Sequence, residues 1–173
     1  AYAIRLRGLG YQSGKDYPAA VAAFQEALAV RRTLGPESAA VALLLHNLAE
    51  AERLYGDQAA AERDYHEALR IARIVDDHRG EVTFILGLAA LALDRQDWPT
   101  AESLTRETLP FFEAIGHLEL VARGCRMLAK ALARQDRSME GLPYARRTVE
   151  LYTRLRSPEL EKAQAVLKEC EEA

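Results

Sequence analysis

Four basic residues recur at helical spacing in the C-terminal half of the chain. They are Arg123, Arg126, Lys130 and Arg134. At ~100° per residue of an α-helix, these positions fall within an arc of about 80° on one face. Because like charges on one face repel each other, we expect the stripe to attract an acidic segment of a partner. The alternatives are a solvated face, or ion pairs with acids of the same chain such as Glu159, Glu161 or Asp136.

The residue types that usually carry catalysis or hold metals do not form a recognisable pattern. Neither a cysteine nor a second histidine stands at ligand spacing from any of the four scattered histidines, which are His46, His66, His78 and His117. The sequence has no GxxxxGK phosphate loop, no HExxH and no GxSxG. We expect the carboxylates of Glu52, Glu62 and Glu102 on polar helix faces. The sequence therefore predicts no catalytic residue, no metal site and no cofactor.

Composition points to a globular cytoplasmic domain. The chain has 173 residues, of which 49% are hydrophobic and 28% charged, enough for one continuous core. A net charge of −3 gives no overall basic field that would attract nucleic acid. Cys125 and Cys170 lack CxxC spacing and are expected to be reduced thiols. No apolar run approaches the ~20 residues of a membrane span, and the start at Ala1, within a helical pattern, predicts a domain excised from a longer protein.

The elements that must position these residues repeat along the chain. A small residue anchors the second helix of each repeat at positions spaced 41, 40 and 40 apart, namely Ala20, Ala61, Ala101 and Gly141. The first helices carry their own small residues, namely Gly8, Ala49, Ala89 and Ala129. Small side chains let two helix backbones approach closely, and an aromatic residue such as Tyr65 fills the space beside them. Four copies at one period predict four helical hairpins.

Capping signals place the helix boundaries. Asp16, Ser38, Asp57 and Asp97 stand where an N-cap is expected, and Gly56 follows the first helix of the second repeat. The sequence predicts nine helices in one domain, with repeats at about 1–36, 37–77, 78–116 and 117–157. The charged helix at 158–173 is expected to cap the stack. The fifth helix is apolar nearly all round and should be largely buried.

These residues resemble the tetratricopeptide repeat family. Its spacing is matched in the first repeat by Gly8, Tyr11, Tyr17, Ala20, Phe24, Ala27 and Leu28. The period near 40 is similar to the long variant in kinesin light chains and in sensor arms of bacterial signalling ATPases and transcription regulators, whereas HEAT-like repeats share the period without this small-residue pattern. Thr105 and Ala145 depart from the family's aromatic position. The resemblance implies an all-α, right-handed α-α superhelix of four helix-turn-helix repeats and a capping helix.

The resemblance also implies a concave groove lined by the first helix of each repeat. The residues on its ligand-contacting stripe that we take as partner-binding candidates are Arg5, His46, Asn47, Glu50, Arg53, Leu86, Leu93, Arg123, Arg126, Lys130 and Arg134. In related repeats, an asparagine placed like Asn47 bonds the backbone of a bound peptide. Glu50 and Arg53 could instead pair along one helix, and Leu86 and Leu93 could instead belong to the core.

Two functions follow as hypotheses. The first is a non-enzymatic interaction module that binds a protein or peptide in the groove, with an acidic segment as the candidate, as the sensor or scaffold arm of a multidomain bacterial signalling protein. The second is self-assembly into homo-oligomers. Neither nucleic acid nor membrane is expected as a direct partner. We favour a monomer, which light scattering of the isolated chain would test.

Overall fold

The computed structural model describes residues 1–172, and they form an all-α fold. Within this range nine helices and no strand are found. The helices are α1 (Tyr2–Ser13), α2 (Tyr17–Arg32), α3 (Ala39–Tyr55), α4 (Gln58–Ile74), α5 (His78–Asp94), α6 (Trp98–Ala114), α7 (Leu118–Ala133), α8 (Ser138–Leu155) and α9 (Leu160–Glu172). The predicted all-α fold class is confirmed. No helix in this range is long and apolar enough to cross a membrane.

Short polar side chains begin the helices where the sequence predicts. Asp16, Asp57 and Asp97 each accept a hydrogen bond from the backbone N–H three residues on, at 3.0–3.2 Å. Ser38 does the same for α3 at 3.4 Å. Each bond satisfies one of the N–H groups that have no partner inside the helix. Gly56 ends α3 with φ of 101°, a conformation that glycine adopts at little cost.

The small residues lie where paired helices meet. A Cβ atom at Gly8 would lie 2.6 Å from a ring carbon of Phe24, so only glycine lets that ring pack against α1. Ala61 and Ala101 are fully buried. Near the C-terminus, Ala129 and Ala145 pack together, with α9 completing a buried cluster beside them. The recurring small residues therefore do set the helix contacts, as the spacing predicts.

The described chain divides into two compact units. The first runs from Ala1 to Gly87, and the second runs from Leu88 to the end of the described residues, so the boundary falls inside α5. In the first unit, α1 packs on α2, α2 on α3 and α3 on α4. In the second unit, α6 packs on α7, α7 on α8, and α9 on both α7 and α8.

The first hairpin (α1–α2) and the fourth hairpin (α7–α8) share one internal register. Position n of the first hairpin corresponds to position n + 121 of the fourth. The contact of Gly8 with Phe24 thus corresponds to the contact of Ala129 with Ala145. The register continues into the next helix, because α3 begins at Ala39 and α9 at Leu160. Differences in side chain at equivalent positions can therefore be compared directly.

Candidate functional site

The first unit presents polar and apolar side chains together on its first helices, α1 and α3. Tyr2 on α1 and Leu43 on α3 are repeat-equivalent and are 71% and 39% exposed. One helical turn further on lie Arg5 and Asn47, both half-buried. Within residues 1–172, Nε of Arg5 and Nδ2 of Asn47 are buried donors without a hydrogen-bond acceptor. Because α1 and α3 are in contact, these four positions on neighbouring helices offer apolar area and donors without acceptors.

Glu50 and Arg53 engage each other. Arg53 donates to both carboxylate oxygens of Glu50, at 3.0 and 3.2 Å, and the two side chains are only 12% and 16% exposed. Tyr65, fully buried on α4, donates its hydroxyl hydrogen to the same carboxylate. The helix-pair alternative is therefore what the structure contains. The pair also holds the α4 tyrosine in place.

His46 packs among aromatic rings. Its ring stacks on Phe84 with a centroid distance of 5.0 Å and lies tilted to Tyr65 at 5.7 Å. These contacts join α3 to α4 and to the first half of α5. Packing against neighbouring helices therefore accounts for the position of this half-buried ring. A role of His46 in partner binding stays a prediction.

Leu86 and Leu93 lie in the core and not on a partner-accessible face. They are 1% and 8% exposed. Their burial follows from the composition of α5, most of whose side chains are apolar and buried, and their part in partner binding stays a prediction. The alternative placement in the core is the correct one.

Two members of the predicted basic stripe on α7 form ion pairs with acids that lie in α9 or just before it. Arg126 lies 3.9 Å from Glu159, the residue before α9, and beside the buried hydroxyl of Tyr152. Arg134 forms an ion pair with Glu169 at 2.6 Å. Sequence reasoning named Glu159 as a possible partner but missed Glu169, whose position depends on how α9 packs against α7. The other two members of the stripe, Arg123 and Lys130, are half-buried on α7.

Two buried glutamates were wrongly expected on polar faces. Glu52 and Glu102 are only 6% and 7% exposed. Glu102 accepts hydrogen bonds from Arg106, Gln135 and Arg137. Oε2 of Glu52 has no donor within the described chain. Burial, with nearby carboxylates adding a smaller effect, raises the pKa of Glu52 to about 7.

The thiols offer little reactivity. Burial raises the pKa of the Cys125 thiol to about 11 and also raises that of Cys170, so the nucleophilic thiolate is scarce at neutral pH. Within residues 1–172, no group of three or more histidine, cysteine or acidic side chains could hold a metal ion.

Comparison with known proteins agrees with the geometry. Residues 1–74 match the family model described as tetratricopeptide repeat. Two crystal structures of TPR-like repeats from a Podosopora anserina protein assigned as a kinesin light chain, one of them a single-substitution variant, have TM-scores of 0.75 and 0.76. Both are 16% identical, and the alignments cover 99% of this chain and 84–85% of those chains.

A third similar structure is BtubC (BKLC) from P. vanneervenii. Its TM-score is 0.71 at 16% identity, over 97% of this chain and 74% of that one. Among curated protein sequences, none matches this chain significantly. Tetratricopeptide repeats generally mediate protein–protein interactions and form a non-catalytic scaffold. Residues 1–74 therefore match the tetratricopeptide repeat family model, and the chain shares its fold with solved TPR-like repeat structures.

Proposed function

We propose that this protein is an interaction module that binds an acidic segment of a partner protein across α1 and α3. The observation that carries the proposal is the pair of unused donors, Nε of Arg5 and Nδ2 of Asn47, beside exposed Tyr2 and Leu43. Buried donors without acceptors are costly, and because Arg5 and Asn47 are only half-buried, a bound chain that shifts their side chains can supply the missing acceptors. Exposed apolar side chains next to them would contact the partner's side chains.

Charge supports an acidic partner. Arg5 forms no ion pair within residues 1–172, whereas Glu50 on the neighbouring helix is neutralised by Arg53. The face therefore carries a positive charge that a carboxylate would complement. On α7 the arginines Arg126 and Arg134 already have acidic partners in α9 or just before it. We therefore assign the α1–α3 face as the primary site, and partner binding by the α7 stripe stays a prediction. The sensor or scaffold role in a multidomain signalling protein is part of this proposal.

Peptide selection tests the proposal directly. A random peptide library selected on the purified chain should yield segments rich in Asp and Glu. Their binding should shift the amide NMR signals around Tyr2, Arg5, Leu43 and Asn47. Arg5→Glu and Asn47→Ala should each weaken a selected peptide at least tenfold. As matched control, Arg154→Glu on the exposed side of α8 should change the affinity less than twofold. Peptides that show no acidic preference, or that bind both Arg5→Glu and Asn47→Ala as they bind the unaltered chain, would refute the assignment.

Self-association is a second candidate function, favoured by one observation. Five large hydrophobic side chains of the first hairpin are exposed, namely Tyr2, Leu6, Tyr11, Val30 and Leu34. An open apolar surface of this kind can join two copies of a chain. Light scattering at increasing concentration distinguishes the candidates, because a dimer disrupted by Leu6→Lys and Leu34→Lys would support self-association. A mass that stays monomeric supports the first candidate.

A further inference from the structure

We propose that Arg5 and Arg31 together bind a phosphate monoester carried by a side chain of the partner protein. The inference rests on the proposed function, because Arg5 belongs to the α1–α3 face. Both arginines are half-buried, and Nε of each is buried without an acceptor in the part of the chain that the structure describes. Neither forms an ion pair there. Two basic groups thus remain without compensating charge.

The fourth hairpin shows what these positions do when their charges are balanced. In the shared register, Arg5 corresponds to Arg126 and Arg31 to Tyr152. Burial raises the pKa of the Tyr152 hydroxyl on α8, and the Arg126 guanidinium on α7 lies beside that hydroxyl and lowers its pKa by a smaller amount. Nε of Arg126, like Nε of Arg5, lacks an acceptor within residues 1–172. The two hairpins therefore differ in the side chains that surround the guanidinium group, and not in the bonding of this nitrogen. Since the register is shared, we infer by equivalence with Arg126 and Tyr152 that the side chains of Arg5 and Arg31 lie near each other between α1 and α2.

The acid of the fourth hairpin is also replaced. Glu159, 3.9 Å from Arg126, stands just before the first residue of α9. Its equivalent in the first hairpin is Ser38, whose Oγ caps α3. In the fourth hairpin these positions hold an arginine, a phenol and a carboxylate, and their charges sum to zero. In the first hairpin the equivalent positions hold two arginines and a hydroxyl, with a summed charge of +2.

A phosphate monoester suits this set better than a carboxylate. Two adjacent guanidinium groups repel each other unless an anion lies between them. A phosphate monoester carries about −1.5 to −2 charges at pH 7 and three acceptor oxygens, and it forms strong charge-assisted bonds with arginine. The start of α3 also lies on this side of the hairpin, by equivalence with Glu159 at the start of α9. The partial positive charge of a helix N-terminus adds to the attraction.

NMR titration of the arginine Nε–Hε signals is the experiment. Phenyl phosphate should shift the signals of Arg5 and Arg31, with a Kd at least tenfold below that of acetate at equal ionic strength. Arg126 is an internal control whose signal should not move. Arg31→Tyr recreates the pair of the fourth hairpin and should weaken phenyl phosphate at least tenfold, and Arg31→Gln should do the same if the tyrosine disturbs folding. Arg154→Tyr should have no effect.

A second arm identifies the source of the phosphate. In a peptide selected on the unaltered chain, one Glu is replaced by phosphoserine, and affinity should rise at least tenfold for the unaltered chain but not for Arg31→Tyr. Equal Kd values for acetate and phenyl phosphate, or an equal shift of Arg126, would overturn the site. Inorganic phosphate that binds as tightly as the phosphopeptide would overturn the assignment to a protein side chain. Selected acidic peptides that bind across Tyr2 and Asn47 without a phosphate preference would overturn this inference alone and leave the proposed function standing.

Discussion

Glu52 in the first unit and Glu102 in the second are almost equally buried, yet their surroundings are opposite. Glu102 accepts hydrogen bonds from Arg137 at 2.9 and 3.0 Å and from Gln135 at 2.8 Å, and it forms an ion pair with Arg106. Oε2 of Glu52 has no such donor within the described chain. The comparison shows that two carboxylates buried to almost the same depth can differ completely in the donors that surround them.

The two carboxylates therefore have different roles in the fold. Glu102 ties α6 to the connection between α7 and α8, where Gln135 and Arg137 lie. Burial raises the pKa of Glu52 to about 7, and the charges of Asp64 and Asp57 add to the effect, while Arg63 on α4 opposes it. Near neutral pH, Glu52 is therefore only partly ionised.

The largest expected effect is the loss of Glu102. Glu102→Ala leaves Arg137 and Gln135 without their acceptor, and removing one partner of a buried pair costs about 3–5 kcal/mol. Because Arg106 and Arg137 are 43% and 37% exposed and can be rehydrated, we expect a loss of about 2 kcal/mol. Urea unfolding at pH 8 measures it. The matched variant Glu52→Ala should lose less than half as much free energy of unfolding as Glu102→Ala. Equal losses in the two variants would contradict the difference between the two carboxylates.

The pH dependence of stability is the next largest effect. The pKa of Glu52 is about 7 in the folded chain and near the ordinary 4.5 when the chain is unfolded. The folded state therefore binds the extra proton between these values, and stability falls as pH rises from 4.5 to 7. We expect a contribution on the order of 2 kcal/mol to the free energy of unfolding.

Comparison with Glu52→Gln isolates this contribution from that of other acids. Urea unfolding across pH 4.5–8 measures the free energy of unfolding of the unaltered chain and of the variant. The difference between these two free energies should grow with pH and level off above pH 7. Glu102→Gln is the control, and the Glu52-dependent slope should persist in it. A difference that is constant with pH would show that Glu52 titrates normally.

At pH 8 the same substitution should stabilise the protein. Gln has nearly the shape of Glu, and it removes a buried negative charge that lies near Asp57 and Asp64. We expect Glu52→Gln to raise the free energy of unfolding by about 1 kcal/mol, less than the full titration effect because the amide also needs hydrogen bonds. Glu102→Gln should lower it instead. Calorimetric melting of both variants at pH 8 shows whether each substitution raises or lowers the stability of the fold. If both substitutions shift the stability in the same direction, the proposed difference between Glu52 and Glu102 is wrong.

Most of the fold was predictable from the sequence because its determinants are local. Asp16, Ser38 and Asp57 cap helices by contacts within three residues, and α7 (Leu118–Ala133) begins at the start of the predicted fourth repeat. Recurring small residues at one period then specify which helices pack together. The fold class and the helix boundaries follow from these two signals.

The buried polar contacts were not predictable in the same way. Helical periodicity assigns a residue to a face but does not say how deeply the neighbouring helix covers it, so Glu52 was misplaced. The repeat register carried part of the missing signal, because the positions equivalent to Glu52 in the third and fourth repeats are the apolar Ala92 and Leu132, both buried. The ion pair of Arg134 with Glu169 had no such signal, since it depends on how α9 packs against α7.

The smallest effect is the shift of one pKa by one neighbouring charge. Asp64 is the largest of the charges that raise the pKa of Glu52, and burial raises the pKa of Asp64 itself. Asp64→Asn should therefore lower the pKa of Glu52 by less than one unit, because burial remains the dominant cause. The carboxyl carbon signal of Glu52, followed by NMR from pH 4 to 9, measures the shift. Asp136→Asn is the matched control, since Asp136 lies in the other unit at φ of 58°, which asparagine tolerates. An unchanged midpoint in Asp64→Asn would mean that burial alone sets the proton affinity of Glu52, and a midpoint that falls to the ordinary value would mean that the charge, and not burial, separates Glu52 from Glu102.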